Sequence, residues 1–520
     1  MTTLIGRRTA LLGGLAAVAG PALVAAARPV GGAPDAIALV RSRIGQSTVA
    51  RTGDVSTDSA VIWARGDAEG RLMLRLESSG RRIGSLRGAY VGPGTDYTAR
   101  IQLDGLRPGR EYVATTWFAH PDGTLGEPRR TTFATAPDVP TPVSFVWSGD
   151  TCGQGWGINP DLGGMTGYRT VLDLDPDFFV HAGDNIYADE PMAEHDHDEH
   201  GNRWTNLVDA SVVKVAETLA EFRGRHRYVL QDDNVRALYG SVPTIAMWDD
   251  HETLNNWYPG EILDDPAYAL ERRCDVLAAR GRRAWQEYMP VGPSVLGRRG
   301  RIYRKIARGP HLDLFCLDMR SYRDANGYDD SPDQVDGILG WEQEQWLLRE
   351  LTLSTATWKV VVADMPLSVA TSHAEDRDSV AQDQGGAPLG REREIARLLT
   401  GLQANRVRNV IWLTADVHYT AAHHYAPERA AYTRFDPFWE FVSGPIAAGT
   451  FQPKIPDPTF GPEVVFARGN TDDHLYSMSP AVGEQYVGQV EIALDGRLTV
   501  TLHSTGAGAL WSRSFEPIED

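Results

Sequence analysis

Cysteine is scarce in this sequence, which has three cysteines in 520 residues. Cys152, Cys274 and Cys316 cannot all pair with one another, so no disulfide framework is indicated. Cys316 lies in the apolar run LDLFCLD, and we predict that it is a buried core residue.

Positive charge is also in deficit, because 51 lysines and arginines stand against 69 aspartates and glutamates, which gives a net charge of −18. This balance argues against nucleic acid as a general partner, predicts no nucleic-acid-binding module, and disfavours anionic membrane surfaces. It does not exclude anionic substrates, since bound metal ions can reverse the local sign of the potential.

Beyond the first 34 residues, the sequence has no apolar run long enough to span a membrane. Arg7 and Arg8 precede the run ALLGGLAAVAGPALVAAA, which ends in small residues and resembles a twin-arginine signal. We predict cleavage near Ala27 or Ala33 rather than retention as an anchor, because the run is short, rich in glycine and alanine, and interrupted by Pro21. The mature protein is then expected to be secreted, periplasmic or cell-wall-associated, with no stable membrane span.

A chain of this length favours two domains after the signal segment. Residues 47–136 contain short alternating runs broken by glycine, proline and aspartate, a pattern typical of a β-sandwich. Residues 136–142, APDVPTP, form a stiff linker. Strands alternate with helices over residues 143–520, and we predict helices throughout 208–240 and 269–289.

Four apolar runs in the second domain end in residues that can bind metal. The runs VSFVW, DFFVH, VPTIAMW and NVIWLTA are followed by Asp150, by Asp184 and Tyr187, by Asp250 and His251, and by Asp416 and His418. Residues 163–174 suit a crossover helix between the first two runs, so the carboxyl ends of these strands are expected at one edge of a sheet. A glycine before Asp150 and before Asp184 lets the backbone turn sharply there.

Carboxylate, phenolate and imidazole ligands suit iron, manganese, calcium or zinc. A single aspartate after a strand is more often a turn or helix N-cap residue than a ligand. Four such strand ends in one chain, with histidine at the last two, favour a metal site instead. The segment HDHDEH at residues 195–200 is weaker as a metal site, because we predict an exposed loop in which no strand or helix fixes its geometry.

The order of these motifs resembles that of the purple-acid-phosphatase-like metallophosphoesterases, and the most similar group is the PhoD-type alkaline phosphatase/phosphodiesterase family. The resemblance extends from about Thr48 to the C-terminus and is carried by GDNIYADEP, WDDHETLNNWYPGE, LDMRSYRD and ADVHYT. It implies a four-layer αββα sandwich, preceded by a small fibronectin- or immunoglobulin-like β-sandwich, with the β-rich C-terminal segment completing the second sheet. One departure is that Asp364, Met365 and Pro366 stand where purple acid phosphatases carry a histidine ligand.

The resemblance also implies two metals. It implies that Asp184 bridges the two metals, that Asp150, Tyr187 and His418 bind the first metal, and that Asp250 binds the second. Asp416 would bind either metal or lie behind the ligands. A tyrosinate ligand favours Fe³⁺ at the first site, and the family implies Ca²⁺ at the second, with Mn²⁺ or Zn²⁺ as alternatives there. Some members carry a cysteine ligand after the first strand, which leaves Cys152 as an alternative to Asp150.

Catalysis in such a site is expected to use a metal-held hydroxide that attacks phosphorus in line with the leaving alkoxide. No serine or threonine nucleophile motif is evident. His251, oriented by Glu252, is the candidate for assisting the leaving group or binding the phosphate. Arg320 and Arg323 are candidates for contact with phosphoryl oxygens, unless they pair with the neighbouring aspartates of LDMRSYRD.

The substrate class is left open as a small-molecule or polymeric phosphoester, which includes phosphodiesters, phospholipids and teichoic acids. Our hypothesis is a secreted alkaline phosphatase/phosphodiesterase, and a phospholipase D-like phosphodiesterase acting on lipid head groups is the alternative. A non-catalytic cell-wall- or glycan-binding protein, in which the β-sandwich binds, is the alternative of a different class. A redox iron protein is weaker, because tyrosinate and carboxylate ligands stabilise Fe³⁺ against reduction. Loops at 189–236 and 368–390 are expected to decide specificity.

Overall fold

The structure, a computed structural model, describes residues 45–198, 200–297, 300–327, 337–371, 376–472, 474–475 and 477–518. The predicted signal segment lies outside these residues. The strands are β1 (Arg51–Gly53), β2 (Ala60–Arg65), β3 (Gly70–Ser78), β4 (Arg81–Val91), β5 (Thr98–Leu103), β6 (Glu111–Ala119), β7 (Arg129–Ala134), β8 (Val143–Ser148), β9 (Phe178–His181), β10 (His195–His197), β11 (Arg203–Thr205), β12 (Thr244–Ala246), β13 (Arg304–Ala307), β14 (Leu312–Cys316), β15 (Trp358–Val362), β16 (Val410–Thr414), β17 (Thr420–Tyr425), β18 (Phe438–Val442), β19 (Pro462–Arg468), β20 (Tyr486–Ile492), β21 (Leu498–Ser504) and β22 (Gly508–Phe515). The helices are α1 (Thr166–Asp173), α2 (Leu219–Val229), α3 (Asp233–Ser241), α4 (Cys274–Tyr288), α5 (Trp341–Leu353) and α6 (Glu392–Ala404). Among the described residues, no helix has both the length and the apolar character that a membrane span requires.

Two large sheets lie at the centre of the fold. The first has the order β22-β21-β20-β8-β9-β12-β1-β2-β5, and the second has the order β13-β14-β15-β16-β18-β17-β19. In the first sheet β8, β9 and β12 are adjacent and parallel, and α1 is the predicted crossover helix between β8 and β9. In the second sheet β14, β15, β16 and β18 run parallel. Each sheet therefore gathers the carboxyl ends of several strands at one edge.

The alternation of side chains along the central strands divides the core into layers. Phe145 and Trp147 of β8 pack against the second sheet, whereas Val146 packs against the helices α1 to α4. In β14, Cys316 faces the first sheet and Phe315 faces α5 and α6. The predicted four-layer αββα sandwich and the predicted burial of Cys316 are therefore confirmed.

An N-terminal β-sandwich precedes these layers, and it shares a sheet with them. The sheet β4-β3-β6-β7 packs on β1, β2 and β5. Strand β1 pairs in parallel with β12, with Gly53 opposite Thr244, so that one half of the β-sandwich continues the first central sheet. A buried ion pair supports this junction, since Arg304 Nη2 lies 2.7 Å from Asp54 Oδ1. The described residues belong to one compact unit, and the boundaries 47–136 and 143–520 remain a prediction.

Three local predictions are wrong. Strands β20, β21 and β22 extend the first sheet beside β8 rather than completing the second, because the alternation of a strand does not specify which edge it pairs with. The segment predicted to be helical from 208 begins its helix only at Leu219, where Thr218 and Glu221 form a capping box. His195, Asp196, His197 and His200 of the HDHDEH segment are exposed as predicted, but His195–His197 pairs with Arg203–Thr205 in a short hairpin rather than forming a loop.

Candidate metal centre

The predicted strand ends meet at one edge of the sandwich. The three parallel strands of the first sheet and β16 of the second deliver Asp150, Asp184, Asp250, Asp416 and His418. The indole N–H of Trp147 donates to the carbonyl oxygen of Thr414 at 3.2 Å and so ties β8 to β16. Residues that are up to 268 positions apart in the chain are thereby brought to one place, since both sheets end at the same edge.

The backbone at these strand ends is strained. Asp150, Asp184, Asp416 and His418 have φ values of 67°, 49°, 66° and 56°. The left-handed region costs a non-glycine residue roughly 1–2 kcal/mol, and such residues persist where the surroundings impose the conformation. The preceding glycines make the turns possible: a Cβ on Gly183, where φ is 122°, would lie 2.6 Å from the Asp249 Cβ, and a Cβ on Gly149 would lie 2.8 Å from the Ala415 Cβ. Strain concentrated at four side chains of metal-binding type indicates a functional site.

Asp150 is a deeply buried carboxylate. It is 1% exposed, and among the described residues neither of its carboxylate oxygens has a hydrogen-bond partner. Burial and the neighbouring charge of Asp416 raise the pKa of Asp150 well above its usual value. Burying a carboxylate in this way is costly unless a cation is bound beside it. The donor set around Asp150 therefore fits a metal ion.

His418 and Tyr187 complete the surroundings of Asp150. The Nδ1–H of His418 donates to the carbonyl oxygen of Gly449 at 2.6 Å, which leaves Nε2 with its lone pair. That Nε2 lies 2.7 Å from the Tyr187 phenol oxygen and 3.8 Å from Asp150 Oδ1. Phe451 stacks on the His418 ring at a centroid separation of 4.5 Å and fixes its plane. Carboxylate, phenol and imidazole thus converge on one point.

Asp184 is shared by two groups of potential ligands. Asp150, Asp184 and His418 form one group, and Asp184, Asp250 and His251 form the other; within each group the ligand atoms lie within 4.8 Å of one another. A carboxylate common to both groups is in the position that a bridging ligand requires. Two overlapping groups of potential metal ligands therefore lie at this edge of the sandwich.

His251 is oriented by Asp189 and not by Glu252. The His251 Nδ1 lies 2.7 Å from Asp189 Oδ1, and its ring stacks on Tyr187 at a centroid separation of 4.0 Å. The expected role of Glu252 is wrong, because its carboxylate accepts from the backbone N–H groups of Asn185 and Asp249 and so holds two turns. The sequence analysis gave Asp189 no role, although Asp189 lies within the motif GDNIYADEP.

The two arginines of LDMRSYRD differ sharply in their surroundings. Arg320 is 0% exposed and lies among five carboxylates: its guanidinium nitrogens are 2.5 Å from Asp249, 3.1 Å from Asp378, 3.3 Å from Asp364 and Asp416, and 3.8 Å from Asp250. The group Asp249, Asp250 and Asp416 could by itself hold a metal, but Arg320 bonds or pairs with all three. The neighbouring aspartates Asp318 and Asp324, which the sequence offered as ion-pair partners, do not pair with the guanidinium of Arg320 within the described residues.

Arg323 is also buried, yet among the described residues none of its three side-chain nitrogens makes a hydrogen bond. Its nearest charged partner is Asp378, with 3.9 Å between Nη1 and Oδ2. A guanidinium with all its donors unused is costly. Each side-chain nitrogen of Arg320 thus donates a hydrogen bond to a carboxylate, whereas the N–H donors of Arg323 are free of hydrogen bonds within the described residues.

An open cleft of about 610 Å³ leads to these groups. The lining residues are Gln154, Asp184, Glu190, Asp250, His251, Asn255, Asn256, Thr371, Asp378, Asp416, Val417, His418, Phe451, Gln452, Pro453, Lys454, His474 and Leu475. Both predicted specificity loops contribute, through Glu190 and through Thr371 and Asp378. The segment 451–475 was missed, because no motif marks it. Burial raises the pKa of Glu190 to about 7, which places a titratable acid at the cleft wall.

Other candidates from the sequence lie elsewhere. Cys152 is buried in the core behind the site, with its sulfur 3.9 Å from that of Met165, which favours the structural thiol over the ligand. Asp364, at the position of the departure from purple acid phosphatases, faces Arg320.

Comparisons with known proteins identify a matching family model, a curated relative and two solved structures of similar fold. The family model described as PhoD-like phosphatase matches residues 145–502. Alkaline phosphatase D of Bacillus subtilis (strain 168) is 27% identical over 394 residues, which are 71% of this chain and 63% of that protein, so the match spans less than two thirds of the relative. A solved structure of PhoD has a TM-score of 0.66 at 19% identity and covers 90% of each chain. Purple acid phosphatase PPD1 from yellow lupin (Lupinus luteus) seeds has a TM-score of 0.53 at 13% identity, covering 89% of this chain and 73% of that one. These two structures share the fold.

Proposed function

Because the chain belongs to the PhoD-like phosphatase family, we propose that it is a metal-dependent phosphoester hydrolase, an alkaline phosphatase and phosphodiesterase. The observation that carries the proposal is the buried carboxylate of Asp150, which accepts no hydrogen bond from the described residues and lies beside Asp184, a residue shared by two ligand groups. A protein that only binds a polymer has no need for such a costly arrangement.

Asp150, Asp184, Tyr187 and His418 would hold a first cation, and Asp184 and Asp250 a second. The phenol of Tyr187 favours Fe³⁺ at the first site, and the oxygen-rich second site suits Ca²⁺, with Mn²⁺ or Zn²⁺ as alternatives. When bound, such cations supply Lewis acidity to a phosphoryl group and make water more acidic.

The remaining side chains supply positioning and proton transfer. His251, held by Asp189 at the cleft wall, is placed to donate a proton to the leaving oxygen. Arg320 serves to hold Asp250 and Asp416 in place through its ion pairs. Arg323, with unused donors, is the better candidate of the two for drawing a phosphoryl anion towards the site.

Phe451, Val417 and Leu475 form an apolar part of the cleft wall, which favours esters with an organic leaving group. A phosphodiester is therefore our central candidate, and a phospholipase D-like action on lipid head groups is the variant that the same wall would serve. We further propose export by the twin-arginine route, from the sequence of the first 34 residues.

The test uses the purified protein without added metal. Metal content, visible absorption and hydrolysis of p-nitrophenyl phosphate and bis(p-nitrophenyl) phosphate are measured for the parent, for Asp184→Asn and for Tyr187→Phe. Tyr425→Phe is the matched control. The buried Tyr425 hydroxyl donates to Glu440 at 2.7 Å, and Tyr425 does not line the cleft.

We expect two metals per chain, loss of metal and turnover together in Asp184→Asn, and loss of a tyrosinate-to-iron absorption band in Tyr187→Phe but not in Tyr425→Phe. If the protein is active but colourless, a cation other than iron occupies the first site. A protein that stays metal-free and inactive after reconstitution with iron, calcium, manganese and zinc would refute the hydrolase and favour the binding protein.

A further inference from the structure

The outer face of the sheet β4-β3-β6-β7 presents a basic surface. Along β3, Leu72, Leu74 and Leu76 are buried in the β-sandwich, so Arg71, Met73 and Arg75 point to the opposite side. Strand register places Tyr90 beside Arg71, Arg87 beside Met73, and Thr115 between Arg75 and Arg130. Four arginines therefore share one face, which we call the arginine face.

Negative charge compensates the arginine face only in part. Three acidic residues lie on or beside it: Glu77 pairs with Arg75 at 3.1 Å, Glu69 accepts from the Tyr90 hydroxyl at 3.3 Å, and Glu111 is exposed at the start of β6. Within the described part of the chain, Arg87 and Arg130 have no ion-pair or hydrogen-bond partner, and Arg71 donates only to the carbonyl oxygen of Gly88, at 2.9 Å. Like charges gathered on one face repel one another. Such a cluster is unexpected in a chain with a net charge of −18.

Flat side chains lie among these charges. Trp117 is half-buried beside Met73, and Tyr90 is 44% exposed beside Arg71. Arginine forks bind carboxylate and phosphate groups, and aromatic faces accept the flat side of a sugar ring. Phosphate binding alone would need no exposed ring.

We propose that the arginine face binds an anionic polysaccharide, with its carboxylate or phosphate groups on Arg71, Arg87 and Arg130 and its sugar rings on Tyr90 and Trp117. The surface is separate from the metal centre, so the proposal goes beyond the hydrolase and stands without it. It gives the N-terminal β-sandwich a role in holding the protein on an acidic polymer.

The test measures binding of the full, purified protein to immobilised polygalacturonate at low and at physiological ionic strength, with neutral dextran as the reference polymer. The variant Arg71→Gln/Arg87→Gln/Arg130→Gln removes three charges from the arginine face. The matched control, Arg349→Gln/Arg434→Gln/Arg497→Gln, removes three exposed charges elsewhere. Thermal unfolding confirms that each variant is folded.

We expect salt-sensitive binding to polygalacturonate that is at least about tenfold weaker in the arginine-face variant and changed by no more than about twofold in the control. Adding Tyr90→Ala to the arginine-face variant should weaken binding to polygalacturonate further. Hydrolysis of bis(p-nitrophenyl) phosphate should be unchanged in the arginine-face variant, and Asp184→Asn should still bind the polymer. Absence of binding, equal binding to dextran, equal losses in both triple variants, or tighter binding to phosphatidylglycerol vesicles or duplex DNA would each overturn the proposal.

Discussion

Arg320 and Arg323 offer a matched pair for testing how the site is built. Both guanidinium groups are buried, and they lie three residues apart on one loop. Arg320 has carboxylate oxygens at 2.5 to 3.3 Å from four aspartates, whereas Arg323 has one at 3.9 Å and no hydrogen bond within the described structure. Replacing each by methionine keeps much of the side-chain volume and removes the charge.

The two substitutions should change the free energy of unfolding in different directions. Removing one partner of a buried ion pair costs about 3–5 kcal/mol, because the charges left behind are uncompensated. Arg320→Met should therefore lower the free energy of unfolding by about 4 kcal/mol, and Tm by about 4 °C, since a unit of this size has an unfolding entropy of about 1 kcal/mol per kelvin. Arg323→Met removes a buried charge that makes no hydrogen bond within the described residues, and the change should be neutral or stabilising by about 1 kcal/mol or more.

The assay is urea and thermal unfolding of metal-free protein, so that metal binding does not enter the comparison, followed by kcat/KM for bis(p-nitrophenyl) phosphate with metal restored. Arg323→Met should lose kcat/KM by at least about tenfold while gaining or keeping stability, which a purely structural arginine would not do. Parent-like stability of Arg320→Met would refute the structural role of Arg320. Parent-like activity of Arg323→Met would refute the functional role of Arg323.

Three further outcomes follow from single contacts. Gly444→Ala should weaken metal binding at the first site by about tenfold, measured by metal competition, because the new Cβ would lie 2.1 Å from Asp150 Oδ2; unchanged affinity would contradict Asp150 as a ligand. Arg304→Gln should cost about 3 kcal/mol in urea unfolding by leaving Asp54 uncompensated at the β1–β12 junction, and Asp54→Asn in the same chain should recover part of that loss. Burial raises the pKa of Glu392 to about 7 from 4.5, so between these pH values the folded state holds a proton that the unfolded state releases. The free energy of unfolding should therefore fall as pH rises from about 4.5 to 7, and Glu392→Gln should remove up to about 3 kcal/mol of that fall. Parallel curves of stability against pH for the parent and the variant would contradict this role of Glu392.

The strand ends were predictable because they depend on local rules. Alternating or fully apolar runs identify β8, β9 and β16, and a Gly-Asp pair after the first two marks a sharp turn with a carboxylate at its end. Parallel strands joined by a crossover helix must end at the same edge. The positions of Asp150, Asp184 and His418 along the chain therefore carried most of the candidate site, and the motif order carried the four-layer fold.

Only the tertiary structure decided which side chains meet across that edge. Arg320 lies two residues from Asp318 in the chain, but its guanidinium bonds to Asp249, Asp378 and Asp416. His251 is likewise held by Asp189 rather than by its neighbour Glu252. The pairing of β1 with β12 and of β20 with β8 was likewise invisible, since a strand's alternation gives its faces and not its neighbours. Local sequence fixes conformation and chemical type over a few residues, whereas contacts between distant segments depend on how whole sheets and loops pack, and that information is spread over the entire chain.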